Sequence, residues 1–260
     1  MKRLLIAGLV LVFLVFGLWI IAVPTSLVTN LVEGSMQKGS LRLRVADLEK
    51  GLFYDFTCGS ITLLKGDRPL LSVDNIRGKI NPLSLLLLKL AVSFEGELSG
   101  GKVEGSIDLF KGGDRISAAV RNAELEGMPF FSLLGVRGRG SLSGDIAIRN
   151  TKGTATFSVA DARFDQATIA GISIPVNVFT SARGAMTVDG NTLRIQSFAL
   201  DGEGIYARLS GDVSAGKMNL KMELMPEKSF RDQNVVFMMI KRYEVSPGYY
   251  SIPLTGPLPL

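Results

Sequence analysis

The chain has 260 residues, 47% of them hydrophobic and 20% charged, with 29 Lys and Arg against 24 Asp and Glu and no histidine. The missing histidine excludes Ser-His-Asp and Cys-His nucleophilic catalysis, His-ligated zinc and haem, and facial-triad iron. With Lys2 and Arg3 set aside, 27 basic residues face 24 acidic ones and no run of five or more Lys or Arg occurs, so no nucleic-acid partner is expected.

The first element is Leu4 to Val23, LLIAGLVLVFLVFGLWIIAV, which holds only apolar side chains and glycine. At 1.5 Å per residue a helix of this length spans a ~30 Å hydrocarbon core. Lys2 and Arg3 precede it, the positive flank that stays in the cytoplasm, and Trp19 falls near the far end, where an indole suits the interface. A cleaved signal peptide is the competing reading, with an apolar region of ~7–15 residues and a small-x-small site. This run is longer, and Val23-Pro24-Thr25-Ser26-Leu27 makes no clean site. Residues 1–25 therefore read as a retained transmembrane anchor, with the rest of the chain across the membrane.

Pro24 to Lys38 is a helix candidate with Leu27, Val28, Leu31 and Val32 on one face, so 26–40 reads as a helical stalk or linker. From Ser40 the period changes to two. Leu41, Leu43 and Val45 alternate with Arg42, Arg44 and Ala46; Val103, Ile107 and Leu109 with Lys102, Glu104 and Asp108; Leu142, Ile146 and Ile148 with Ser143, Asp145 and Arg149; Met218, Leu220, Met222 and Leu224 with Asn219, Lys221 and Glu223. Successive strand side chains point to opposite faces, so each segment has one apolar and one polar face, as in an antiparallel sheet wet on one side. Gly100-Gly101, Gly112-Gly113-Asp114, Asp189-Gly190-Asn191 and Ala215-Gly216-Lys217 supply turns. Residues 41–260 read as one β domain. Its single cysteine, Cys58, sits in an apolar, aromatic stretch and reads as a buried, inert thiol.

Two segments depart from the alternation. Pro82 to Val92, PLSLLLLKLAV, is leucine-rich, which favours a short buried or interfacial helix. Ser229 to Tyr243 opens on Ser229 with Asp232 three residues later, resembling a capping box, and closes on Lys241-Arg242; a helix is preferred, although its VVFMMI centre also suits a buried strand. Met238 and Met239 read as core filler. A glycine recurs within apolar alternation at Gly105, Gly144 and Gly211, suggesting regular bends or close approaches, with chance in a Gly-rich chain as the alternative.

The anchor, then GGKVEGSIDL from Gly100 to Leu109, then Asn191 to Pro226 with the closing Ile252-Pro253-Leu254-Thr255-Gly256, together resemble the N protein of bacterial type II secretion systems (GspN). That family is itself similar to the periplasmic β region of AsmA. The resemblance implies an inner-membrane protein with one N-terminal helix and a periplasmic domain, beside the machine that exports folded proteins. Its AsmA-like side implies an elongated, curled antiparallel sheet with an apolar groove, linked in that family to lipid transport. It brings no catalytic residues and no cofactor.

The expected fold is thus mainly β: one transmembrane helix, then a curled antiparallel sheet with one or two short helices. The expected function is a non-enzymatic secretion component working by protein–protein or strand-edge contacts. The alternative is a lipid-handling module holding acyl chains in its groove. Expected partners are the inner membrane and other secretion proteins. Leu142, Ile146, Leu209, Val213, Leu220 and Met222 are the expected lining of the groove.

Overall fold

A computed structural model describes residues 25–26, 29–30, 33, 41–87, 89–109, 113–129, 138–165, 167–169, 172–174 and 176–257. The expected anchor, Leu4 to Val23, lies outside them. Among the described residues no helix is long and apolar enough to cross a membrane. Of the expected stalk, Thr25, Ser26, Thr29, Asn30 and Glu33 are helical, and the Thr29 hydroxyl donates to the Thr25 carbonyl at 3.2 Å.

Beyond residue 40 the period-two pattern becomes strand: β1 (Leu41–Ala46), β2 (Glu49–Lys50), β3 (Asp55–Lys65), β4 (Arg68–Ile80), β5 (Leu90–Leu98), β6 (Gly101–Leu109), β7 (Arg115–Glu124), β8 (Gly138–Arg149) and β9 (Lys152–Phe164). A small hairpin, β10 (Ala167–Ile169) and β11 (Ile172–Ile174), precedes β12 (Phe179–Asp189), β13 (Thr192–Gly202), β14 (Ile205–Ser214), β15 (Lys217–Pro226), β16 (Glu244–Ser246) and β17 (Tyr249–Pro257). All but β10 and β11 form one fifteen-stranded sheet, ordered β1-β3-β4-β5-β6-β7-β8-β9-β12-β13-β14-β15-β17-β16, with β2 beside β3. Every pairing is antiparallel. At ~4.8 Å between neighbours the sheet runs about 60 Å across its strands, and among the described residues its two edges do not pair with each other.

The curl has identifiable causes. β4, β7 and β9 each carry one extra residue against a neighbour, at the register shifts Asp74/Arg77, Val120/Ala123 and Arg139/Ser141. Asn75, Asn122 and Asp161 stand at these shifts with φ of 52°, 55° and 51°. A bulge bends its strand and raises the local right-handed twist, and Asn and Asp tolerate the left-handed backbone better than other non-glycine residues. The recurring glycines are close approaches: a side chain at Gly105, Gly144 or Gly211 would run into the Ser117, Thr156 or Asn219 carbonyl. Gly105 lies in unbroken register, whereas Gly144 and Gly211 each stand beside a register shift, at Val120/Ala123 and Ile195/Phe198, and Gly211 has a φ of 133°.

The sheet has two ends. The hairpin end carries the turns after β6, β8, β12 and β14. The loop end carries the connections after β5, β7, β9 and β13 and the segment after β15. Most of the core gathers at the loop end: Leu98, Val103, Ala123 and Met128 in one cluster, Leu125, Val159, Ala162 and Ala182 in another. The largest cluster joins Phe179, Ile205, Leu220, Met222, Leu224, Tyr250 and Ile252 to Phe237 and Ile240. Phe237 and Ile240 belong to the second exceptional segment, which forms α2 (Lys228–Gln233) and α3 (Val236–Met239). Met238 and Met239, expected in the core, are each 76% exposed, because Phe237 and Ile240 occupy the face that packs. The first exceptional segment is a helix only over α1 (Pro82–Leu86), and Leu90 already starts β5. Leucine propensity yields there to pairing of Leu90 and Val92 with Leu109 and Ile107.

Candidate functional site

Register places all six expected groove residues on one face. At the hairpin end a single apolar row crosses eleven strands: Ile80, Val92, Ile107, Ile116, Ile148, Gly153, Val188, Leu193, Val213, Met218 and Gly256. The next row towards the loop end holds Ile146, Met186, Ile195 and Leu220, and the one after it Phe157, Phe198, Leu209 and Met222. Leu142 lies one row further, beside Val159.

Coverage divides this face. Leu220 and Met222 are packed beneath Phe237 and Ile240, and Leu209 and Val213 pack against that cluster. Leu142 leans on both loop-end clusters. At the other side of the sheet Tyr54 and Ile80 form a core with Phe56, Leu90 and Val92. Between these covered regions lies a window on β8 to β12, where Ile146, Ile148 and Val188 are 45%, 38% and 40% exposed. Of the six expected residues, only Ile146 is in this window. Ile148 and Val188 were missed as lining, although the alternation Ile146-Ile148 and the apolar Val188 before the Asp189-Gly190 turn were there to be read.

The two edges differ. Among the described residues β1 pairs with β3 alone, and the Val45 amide on it donates to the Glu33 carboxylate at 3.0 Å. β16 pairs only with the first residues of β17, so among the described residues Ser251 to Pro257 has no strand on its outer side. Pro253 and Pro257 supply no N–H, and proline in a sheet is confined to edges where its nitrogen faces solvent. The β17 edge is therefore blunted against strand addition.

The opposite face is polar. Cross-strand ion pairs tie it: Arg121 to Asp145 at 2.7 Å, Lys152 to Asp189 at 3.2 Å, Arg183 to Asp201 at 3.2 Å and Arg194 to Asp212 at 2.8 Å. All are exposed, and such pairs contribute little each. Glu223 differs, being buried. It accepts from the Tyr249 hydroxyl at 2.5 Å and pairs with the Lys221 ammonium at 2.7 Å. Lys221 first, then Tyr249, hold its carboxyl below the usual carboxylate range. Two hollows of about 790 and 830 Å³ open on this polar face over β4 to β13.

Cys58 is buried, with Sγ 3.1 Å from the Ala46 carbonyl and 3.2 Å from the Ser60 carbonyl. Burial pushes its thiol up, away from the reactive thiolate. Among the described residues no group of three or more acidic or cysteine side chains could hold a metal.

The candidate site is thus an exposed aliphatic patch on an open, one-sided sheet. No family model, curated protein or solved structure matches the chain.

Proposed function

We propose that this chain is a non-enzymatic, membrane-anchored periplasmic scaffold of the type II secretion apparatus, the setting its resemblance to the N protein implies. Its working surface is the uncovered window of the apolar face. One observation carries this reading: Ile146, Ile148 and Val188 stay exposed on a face that is otherwise packed on both sides. Exposed apolar area costs ~25 cal/mol per Å², and a patch in continuity with a core marks a surface that is covered when the protein works.

A second reading, lipid handling, concerns what covers the window. The apolar row is continuous over eleven strands and carries no charge, which suits an acyl chain laid across the strands as well as a partner's apolar segment. Strand addition is opposed on β17 by Pro253 and Pro257, and on β1 an added strand has to displace Glu33 from the Val45 amide.

Mass spectrometry of lipid extracted from the purified full chain separates these. Under the lipid reading, wild type carries stoichiometric phospholipid that Ile148→Glu removes. Without bound lipid, the scaffold reading requires that a secretion protein co-purify with wild type and be lost from Ile148→Glu. If Ile148→Glu changes neither, the window is not the working surface.

A further inference from the structure

We propose that the polar face at the hairpin end is a subsite for a phosphate-bearing group, centred on Arg149. Directly behind the apolar row runs its polar counterpart: Asp108, Arg115, Arg149, Lys152 and Asp189 are successive register partners on β6, β7, β8, β9 and β12. The order of charge is minus, plus, plus, plus, minus. Asp108 stands beside Arg115, and the Lys152 ammonium is 3.2 Å from Asp189. Arg149 stands between two cations and has no acidic register neighbour. Like charges directly opposite in a sheet destabilise it, and a bound anion relieves that repulsion.

The neighbourhood is built for such a group. One row inward lie Ser106, Ser117, Ala147, Thr154 and Thr187, short side chains that leave room; Ser106 and Ser117 bond each other at 2.9 Å, and Thr154 and then Thr187 follow on the other side of the small Ala147, which stands in front of Arg149. These side chains line the 830 Å³ hollow together with Arg115, Arg149 and Lys152, and with the carboxylates of Asp108 and Asp189 at its two sides. The turns that carry the cations are laced together. The Asn150 amide donates to the Asp114 carbonyl at 2.8 Å, the Asp114 amide to Asn150 Oδ1 at 2.9 Å, and the Gly190 amide to the Thr151 carbonyl at 2.9 Å. Arg149 offers its fork of N–H groups to the several oxygens of a phosphate, and Arg115, beside Asp108, and Lys152, shared with Asp189, add positive charge on either side.

Ile148 and Val188 face the other side of the same rim. An anionic lipid with its chain on the apolar window reaches Arg149 by turning its head over the hairpin end. This extension rests on the lipid reading above. The anion subsite itself does not, since a free phosphate satisfies the same chemistry.

The test titrates the full chain in neutral detergent with inorganic phosphate, and separately with dihexanoyl phosphatidylglycerol, by calorimetry. Saturable binding that Arg149→Gln weakens roughly tenfold, and that Arg44→Gln on β1 leaves unchanged, is expected for at least one probe. Tighter binding of the lipid identifies a headgroup as the source, and equal binding identifies the free ion. Ile148→Asn keeps the two readings apart. If only the apolar window fails, Ile148→Asn leaves lipid binding intact while Arg149→Gln weakens it. If Arg149→Gln has no effect, or neither probe binds saturably, the anion subsite is wrong.

Discussion

The ring of Phe157 occupies the space that a side chain at Gly184 would need. The two are register partners on β9 and β12, and a Cβ at Gly184 would collide with Cε1 and Cζ of the ring. Gly144 flanks Phe157 on the other side, and in the same way the ring of Phe94 lies over Gly105 and that of Phe56 over Gly78. Large rings laid over glycines let the middle of the apolar face pack without a second layer.

Gly184→Val is therefore expected to destabilise the domain by roughly 1–3 kcal/mol through overpacking, against the β-propensity gain valine brings in an open strand. Urea melts of the variant check this. A neutral or stabilising outcome would show that Phe157 does not hold that space.

Glu223 gives a pH dependence. Its carboxyl titrates lower in the native state than in the unfolded chain, chiefly through Lys221 and then Tyr249. Such a group adds stability that is complete above the unfolded value of ~4.3 and is lost as pH falls through the lower native value. Glu223→Gln should cost about 1–3 kcal/mol at pH 7, typical of a hydrogen-bonded buried charge, and the gap from wild type should close as the carboxylate protonates. Denaturant melts at neutral and acid pH measure it, and a gap independent of pH would contradict the assignment.

The blunted edge is testable by unblunting it. Replacing Pro253 and Pro257 together by threonine restores two N–H donors to the outer side of β17. The double variant should associate with increasing concentration where wild type does not, as read by light scattering after gel filtration. No change in association would mean that something other than the prolines guards this edge.

The sheet was legible because alternation is the direct imprint of a one-sided antiparallel strand. Residues such as Met218, Leu220, Met222 and Leu224 fall where their period puts them. Two matters needed the structure. The curl comes from Asn75, Asn122 and Asp161, whose role as bulges depends on strand register and leaves no periodic trace. Exposure depends on which part of the face a short element covers. Leu220 and Ile146 look alike in sequence, yet Phe237 and Ile240 cover the first and, among the described residues, nothing comparable covers the second. For the same reason the basic row of Arg115, Arg149 and Lys152 emerges only when β7, β8 and β9 are set side by side.

The most direct test of the apolar window places a photoreactive phenylalanine analogue at Ile148 or Val188 in the full chain in cells, with Lys102 on the polar face, outside both hollows, as control. Adducts with lipid or with a secretion protein at 148 and 188, and their absence at 102, are the expected result. Equal labelling at all three positions, or none at 148 and 188, would contradict a working surface on this face.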